Sequence, residues 1–282
     1  MAAKEIVYQK PRQHQWRWNK LVGPLVPKDG AGRTFLDLGC NAGFYMVKAN
    51  KLGYKTIGIE RDPAYIKQAP KELDITECDI NYYEPHAAYL TNLTCVHYHQ
   101  SEEQLEALLL KLMYSTENLL IMGRHKVESR IPADREYIAR KLKGWHFIAE
   151  RTSPIFYTIL VESPFVVELN IEEAYQATRK FTLNLDGFLD FVPAFEQFVR
   201  KIINKEPYDP KKLALMDYFR ARKLRYPLGR LWEYERMIEE IKKSGLKVPL
   251  LYSAKEDRIK DGYHRLIILR ELGEKRFICR IK

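Results

Sequence analysis

The sequence predicts an α/β protein with a doubly wound sheet in its first half and a smaller helical α+β domain after it. Short apolar runs alternate with helical patterns from Phe35 to Glu162, as in parallel sheets that carry helices on both faces. Beyond Pro164, helical patterns dominate until short strands return near the C terminus. We therefore predict two domains, residues 1–165 and 166–282.

The first domain should contain five sheet strands, intervening helices and a final antiparallel pair. Strands are expected at 35–38, 56–59, 73–80, 94–98 and 118–122. Helices are expected at 42–52, 63–68, 101–113 and 134–142, and a hairpin at 145–150 and 156–162. This succession is typical of a doubly wound sheet.

The second domain should begin with two helices and end as a small α+β unit. Helices are expected at 171–180, 188–203, 231–244 and 264–272, and strands at 248–252 and 258–260. Gly245 and Gly273 follow two of these helices, as helix-terminating glycines do. Pro207 and Pro210 indicate a turn between the two halves of this domain.

Composition limits the class of protein. The 282 residues are 46% hydrophobic and 30% charged, which is typical of globular domains. No run of eighteen apolar residues is present, and the N terminus lacks a secretory pattern, so we expect a cytoplasmic protein without a membrane partner. The 4 cysteines show no Cys-x-x-Cys spacing, and no metal site is expected.

A glycine loop follows the first predicted strand. Asp37 lies in that strand, Gly39 and Gly43 permit a tight turn close to a ligand, and Asn41 lies between them. Glu60 ends the next strand, about twenty residues on, where a carboxylate can bind ribose hydroxyls. A Gly-x-x-x-Gly spacing alone is usually an ordinary turn. Together with two strands, a helix start and a terminal acid, it predicts an adenosine cofactor.

These residues resemble the first motif of the class I S-adenosylmethionine-dependent methyltransferases, which reads Asp-x-Gly-x-x-x-Gly. The resemblance extends over residues 30–165 and implies a Rossmann-like sheet, methyltransferase activity and S-adenosyl-L-methionine as cofactor. It places Asp37, Gly39, Asn41 and Gly43 around the methionine and ribose, with Glu60 on the ribose hydroxyls. Asp79 and Ile80 would contact adenine, although Glu77 or Asp74 are alternatives.

The region after the fourth strand usually indicates the substrate of such an enzyme. Methyltransferases of nucleobase amino groups carry an Asn/Asp-Pro-Pro-aromatic turn there, whereas this chain has Val96-His-Tyr-His-Gln100. That departure argues against an exocyclic amine. His97 or His99 is a candidate general base because histidine titrates near neutral pH, although a histidine at a strand end is more often only hydrogen-bonded. Arg124, His125 and Lys126 are candidates for gripping a phosphate or carboxylate.

The positive charge is concentrated in one segment. The chain has a net charge of +10, and residues 200–230 contain ten Lys or Arg against three acids. Aromatic residues interleave with these charges at Tyr208, Tyr218, Phe219 and Tyr226, as in surfaces that follow phosphates and stack on bases. The alternative is a solvated helix face whose aromatics belong to the core. Our candidate nucleic-acid contacts are Arg220, Arg222, Lys223 and Arg225.

A second motif, Asp261-Gly-Tyr-His-Arg265, precedes the last predicted helix. Gly262 allows a turn, and helix N-terminal amides together with His264 and Arg265 can bind an anion. This stretch resembles the ParB/sulfiredoxin-like fold, which implies that Asp261, Gly262, His264 and Arg265 hold the phosphates of a second nucleotide. Tyr263 stands where sulfiredoxins have their catalytic cysteine, so that reductase activity is not expected. The alternative is a strand-turn-helix whose histidine caps the turn.

Three hypotheses follow. The first is a cytoplasmic methyltransferase of RNA or DNA, with the C-terminal domain holding the polyanion. The second keeps the cofactor but makes the acceptor a small phosphorylated metabolite. The third is a ParB-like nucleotide-dependent DNA-binding protein or phosphotransferase in which Asp261 to Arg265 is the active segment.

Overall fold

The computed structural model describes residues 11–85, 87–94, 101–125, 134–182, 188–224, 226–256 and 258–281. The chain divides into two compact units, Met1–Pro164 and Phe165–Lys282, and each has its own hydrophobic core.

The N-terminal unit is built on a seven-stranded sheet. Its strands are β1 (Thr34–Leu38), β2 (Lys55–Glu60), β3 (Asp74–Glu77), β4 (Ala88–Leu93), β5 (Thr116–Arg124), β6 (His146–Thr152) and β7 (Phe156–Glu162). The order is β3-β2-β1-β4-β5-β7-β6. The strands β1 to β5 pair in parallel, and β7 pairs antiparallel with both β5 and β6. The predicted mixed α/β sheet with a closing antiparallel pair is therefore confirmed.

Helices alternate with these strands. They are α1 (Pro11–Arg17), α2 (Phe44–Asn50), α3 (Pro63–Ile66), α4 (Glu102–Met113) and α5 (Arg135–Lys141), and a π-helical turn over Trp18–Val22 continues α1. The N-cap residues of α3, α4 and α5 are Asp62, Ser101 and Asp134, whose side chains accept hydrogen bonds from backbone N–H groups of the first turn.

The two faces of the sheet carry separate apolar clusters. Successive strand residues point to opposite faces, so Phe35 packs with the π-helical turn and α2, whereas Leu36 and Leu38 pack with α4 and α5. Both faces are therefore covered, as in a doubly wound sheet.

The fourth strand differs from the prediction. A strand is present at Ala88–Leu93, which the prediction lacks because its buried polar residues resemble a loop in the sequence, and residues 95–98 of the predicted strand lie outside the described residues. Thr91 donates a hydrogen bond to Thr116 on β5 at 3.0 Å, and Asn92 donates to Asp37 on β1 at 2.7 Å. These cross-strand partners make the polar residues compatible with a buried strand.

In the described part of the C-terminal unit, a four-stranded sheet is combined with five α-helices. The strands are β8 (Val166–Asn170), β9 (Leu250–Ser253), β10 (Arg258–Asp261) and β11 (Arg276–Ile281), in the order β10-β9-β11-β8. The helices are α6 (Ile171–Thr182), α7 (Phe188–Ile203), α8 (Ala214–Ala221), α9 (Pro227–Ser244) and α10 (Tyr263–Glu271). Strand β11 runs parallel to β9 and antiparallel to β8.

Strands β8 and β11 and helix α8 are absent from the prediction. The two strands pair with each other, and α8 packs into the core through Leu215, Met216 and Phe219. Helix α9 also begins four residues before its predicted start, at Pro227, a residue favoured in the first helical turn. No helix within the described ranges is both long enough and apolar enough to cross a membrane.

Candidate functional site

The loop after β1 requires glycine at two positions. Gly39 and Gly43 have φ values of 71° and 77°, in the left-handed region that side chains disfavour. The amides of Gly39 and Cys40 donate to the carbonyl of Ile59, at 2.8 and 3.0 Å, which ties the loop to the end of β2. A Cβ on Gly43 would lie 2.3 Å from Leu73 Cδ1, so a side chain at this start of α2 would have to displace the end of the Leu73 side chain.

Asn41 is held in an unfavourable conformation between these glycines. Its φ is 51°, which costs on the order of 1–3 kcal/mol for a residue with a side chain. Its N–H donates to Glu60 Oε2 at 2.8 Å, and its side-chain amide donates to the Gly39 carbonyl at 3.2 Å. These contacts fix the loop geometry against the strain.

Glu60 connects the loop to the end of β2. Its carboxylate accepts from the amides of Arg61 and Asp62, each at 2.9 Å, in addition to Asn41. A carboxylate has about four acceptor positions, so three amides leave one for a further donor. The predicted binding of both ribose hydroxyls would thus require one of these amides to give way.

A cleft of about 230 Å³ lies at this edge of the sheet. Of the residues predicted for a cofactor, it is lined by Gly39, Asn41, Glu60, Asp79 and Ile80. It is also lined by residues that the sequence interpretation missed, namely Arg61, Asp62, Tyr65, Cys78 and Asn81. The Asp-Pro helix start directly after Glu60 is the signal that would have placed Asp62 here.

Asp79 is oriented by its neighbours. Its Oδ1 accepts from the backbone and side-chain amides of Asn81, at 2.9 and 2.8 Å, and its Oδ2 lies 3.5 Å from Arg61 Nη1. The two alternatives, Asp74 and Glu77, are exposed and do not line the cleft. Of these three acids, Asp79 is the one with the geometry for a ligand contact.

Asp37 is fully buried and is not among the residues that line this cleft. Burial raises its pKa to about 7, the hydrogen bond from Asn92 opposes that rise, and the nearby Glu60 charge adds to it. The Asn92 amide donates to Oδ1 at 2.7 Å, while Oδ2 has no hydrogen-bond partner in the described structure.

Buried polar atoms without hydrogen-bond partners near Asp37 indicate whether the site can hold S-adenosylmethionine. Asn92 Oδ1 is also buried without a hydrogen-bond partner among the described residues, although buried polar atoms are normally hydrogen-bonded. An ammonium group would supply donors to these acceptors, and the cleft offers acceptors for ribose and adenine. The residues present therefore fit S-adenosylmethionine.

The predicted acceptor-binding residues are described only in part. His97, His99 and Lys126 lie outside the described residues. Arg124 stands beside the Phe156 ring at 5.4 Å, with its Nε unpartnered among the described residues, and buried Arg17 stands 4.4 Å from the same ring. Neither arginine lines the cleft. No cluster of three or more His, Cys, Asp or Glu able to hold a metal occurs in the described ranges.

In the C-terminal unit, the histidine of the Asp261–Arg265 motif faces the core. The His264 ring packs edge-on against Phe191 and Phe195, and its Nε2 lies 3.1 Å from the Tyr234 hydroxyl. Burial lowers its pKa to about 4, helped by the charge of Arg230. The side chain is therefore neutral at physiological pH, and the positive charge expected from it is not available in this structure.

Arg265 of the motif contacts both its own loop and the chain before β9. Arg265 donates to the Val248 carbonyl at 3.0 Å and lies 3.4 Å from the Asp261 carboxylate. Gly262 has a φ of 96°, and a Cβ there would lie 2.8 Å from Arg265 Nη2. Phosphate binding by this loop stays a prediction, and it would require Arg265 to exchange these partners.

Only some of the basic and aromatic residues predicted to contact nucleic acid in the basic segment, residues 200–230, face solvent. Arg220 pairs with Asp217 at 2.7 Å, Arg222 and Lys223 are exposed, and Arg225 lies outside the described residues. Three of the four interleaved aromatics, Tyr208, Tyr218 and Phe219, pack into the core of this unit. For these three, the alternative interpretation of core aromatics is correct. Tyr226 is 69% exposed.

No family model and no curated protein matches the chain. Similar solved structures include a Pyrococcus horikoshii protein, with 11% identity, a TM-score of 0.46, and 55% of this chain and 92% of that chain covered. The N-methyltransferase NodS from Bradyrhizobium japonicum is 13% identical, with a TM-score of 0.45, and the match covers 54% of this chain and 95% of that chain. A SAM-dependent methyltransferase from Archaeoglobus fulgidus is 15% identical, with a TM-score of 0.45, and the match covers 54% of this chain and 94% of that chain. At this level of similarity, we transfer neither fold nor activity from these proteins.

Proposed function

We propose that this chain is an S-adenosylmethionine-dependent methyltransferase. The observation that carries the proposal is the strained loop from Gly39 to Gly43, joined to Glu60 at the edge of a cleft. That cleft lies at the carboxyl ends of neighbouring parallel strands, where doubly wound sheets bind their ligands. The strand order, with its antiparallel closing pair, also agrees with the family that the Asp37 motif resembles.

The residues of the chain have distinct roles in this proposal. Glu60 accepts from a ribose hydroxyl, and Asp79 with Ile80 contacts the adenine. Asp37 is fully buried and does not line the cleft, so its contact with the amino group of the methionine part requires the cofactor to open a path to its Oδ2. The cofactor supplies an electrophilic methyl group on a sulfonium. The chain then has to hold the acceptor atom in line with that methyl, because proximity and orientation contribute much of the rate. His97 and His99 stay candidates for removing the acceptor proton.

We propose a nucleic acid as the methyl acceptor. The support is the concentration of Lys and Arg between residues 200 and 230 in a chain with a net charge of +10. A small phosphorylated metabolite is the alternative, with Arg124 as a candidate phosphate contact. The ParB-like alternative has weaker support, because Arg265 and His264 are engaged inside their own unit.

Calorimetric titration with S-adenosylmethionine and S-adenosylhomocysteine tests the cofactor. Asp79→Asn should weaken binding, whereas the matched variant Asp74→Asn, in the same segment but outside the cleft, should not. Absence of binding to the wild-type chain would contradict the proposal.

Methyl-tritiated cofactor tests the acceptor. Incubation with total RNA, genomic DNA or a small-molecule extract should place the label in an acid-precipitable product that RNase or DNase releases. Label found only in the small-molecule fraction would favour the metabolite alternative, and consumption of nucleotide that His264→Ala abolishes would favour the ParB-like one.

A further inference from the structure

Large apolar side chains are exposed where α8 turns into α9. Leu224 is 42% exposed, Tyr226 69%, Leu228 36% and Trp232 62%. Helix α9 meets the core through a different set of residues, Leu231, Tyr234, Ile238 and Ile241. Leu228 and Trp232 are one helical turn apart and so lie on a common face. These side chains form an apolar surface that the unit itself does not bury.

The same stretch carries a strongly one-sided charge. Residues 218–232 contain no acid and five basic residues, Arg220, Arg222, Lys223, Arg225 and Arg230. Arg220 and Arg230 pair with Asp217 and Glu233, which flank the stretch. Both pairs are exposed, and exposed pairs contribute at most about 1 kcal/mol, so their arginines can exchange partners readily. The partner suited to this surface is therefore anionic.

The backbone forms a defined turn at the end of α8. Lys223 adopts a left-handed conformation with a φ of 52°. Its N–H donates to the Arg220 carbonyl at 2.9 Å, and the N–H of Leu224 donates to the Phe219 carbonyl at 3.1 Å. This pattern closes α8 by hydrogen-bonding its last carbonyls and turns the chain away from the helix axis. The exposed side chains thus follow from a defined turn.

We propose that this α8–α9 surface, formed by Arg222, Lys223, Leu224, Tyr226, Leu228 and Trp232, binds single-stranded nucleic acid, with Tyr226 and Trp232 stacking on bases. The inference rests on the proposed nucleic-acid acceptor and specifies its form. An unpaired strand offers both phosphates and free base faces, whereas a duplex hides the faces of its bases. Tyr226 directly precedes α9 and Trp232 lies in its second turn, so both rings belong to the N-terminal end of this helix.

Fluorescence anisotropy with a labelled oligothymidylate and a labelled oligouridylate tests the inference on the full chain. Trp232→Ala should weaken binding about tenfold, within the range for loss of one stacked base. Lys223→Ala should weaken binding and reduce its salt dependence, because one phosphate contact is lost. Phe147→Ala is the matched control, since Phe147 is an equally exposed aromatic, at 62%, in the other unit, and should leave binding unchanged.

Duplex of the same sequence should bind the wild type more weakly than the single strand. Equal binding of duplex and single strand, or Trp232→Ala binding like the wild type, would overturn the stacking role. A Trp232-dependent dimer in analytical ultracentrifugation, without oligonucleotide binding, would assign the surface to a second copy of the chain. Binding to anionic vesicles in place of oligonucleotides would assign it to a membrane.

Failure of the methyltransferase proposal is a separate outcome. An oligonucleotide bound in a Trp232-dependent way by a chain that does not bind S-adenosylmethionine would leave the surface assignment intact and refute the enzyme. Cofactor binding and methyl transfer to RNA that Trp232→Ala and Lys223→Ala leave unaffected would support the enzyme and refute the surface.

Discussion

Replacing Asp37 by Asn should stabilise the N-terminal unit in a pH-dependent way. The folded unit raises the pKa of this carboxyl from 3.8 to about 7, chiefly through burial. The unfolded chain therefore releases the Asp37 proton at lower pH than the folded chain. The stability contribution of protonated Asp37 is complete below pH 4 and is lost as the pH rises towards 7.

The magnitude follows from the shift in pKa. A change of about three units, at 1.36 kcal/mol each, corresponds to about 4 kcal/mol. An uncharged Asn does not titrate. The free energy of unfolding of Asp37→Asn minus that of the wild type should therefore rise by about 4 kcal/mol between pH 4 and pH 8, with most of the increase below pH 7.

Urea denaturation followed by tryptophan fluorescence measures this difference. Trp232→Phe in both proteins confines the signal to the tryptophans of the N-terminal unit, at 16, 18 and 145. A stability difference that stays constant from pH 4 to pH 8 would refute the reasoning, because Asp37 would then not titrate in this range.

Glu60→Gln is the matched control, since it makes the same acid-to-amide change in the same site. Glu60 accepts three backbone hydrogen bonds, and bonds to a charged acceptor are stronger than bonds to a neutral one by about 1 kcal/mol each. This variant should therefore lose up to about 3 kcal/mol at pH 8, where Asp37→Asn gains stability.

Three further predictions concern ligand binding, the loop and the second unit. Between pH 6 and 7, affinity for S-adenosylmethionine should rise by about fivefold as Asp37 ionises, with proton release detectable by calorimetry in buffers of different ionisation enthalpy. Gly43→Ala should destabilise the chain by more than the roughly 1–2 kcal/mol expected for Gly32→Ala, because Gly32 has a similar φ of 76° but open space around it, and thermal denaturation compares the two. Acidification from pH 6.5 to 4 should cost the second unit about 3 kcal/mol through His264. His264→Phe should remove that loss in denaturation monitored by Trp232 fluorescence, with Trp16, Trp18 and Trp145 replaced by Phe in both proteins.

The sequence was most informative where a site is local in the chain. Gly39, Asn41, Gly43 and Glu60 belong to one strand-loop-helix-strand unit, so their spacing alone brings them together. Long-range pairing explains what the prediction missed. Thr91 and Asn92 look like loop residues until strands 25 and 55 residues away supply their partners.

The aromatic residues of the basic segment show the same limit. Their interleaving with Lys and Arg predicts a stacking surface, but whether each ring faces solvent depends on where α7 and α9 pack. Phe219 is 1% exposed because these helices cover it, whereas Trp232 is 62% exposed on the far side of α9. Similarly, the motif at His264 supplies an anion-binding pattern, and only packing against Phe191 and Phe195 leaves its ring neutral.

By itself, the sequence determined the alternation of strands and helices, the glycine loop and the acid at the end of β2, because these depend on local backbone chemistry. The tertiary structure alone decided which acid lines the cleft, how many acceptor positions Glu60 retains, and which aromatics reach solvent. Burial and partner contacts between distant segments set those properties, and neither is encoded in the spacing of neighbouring residues.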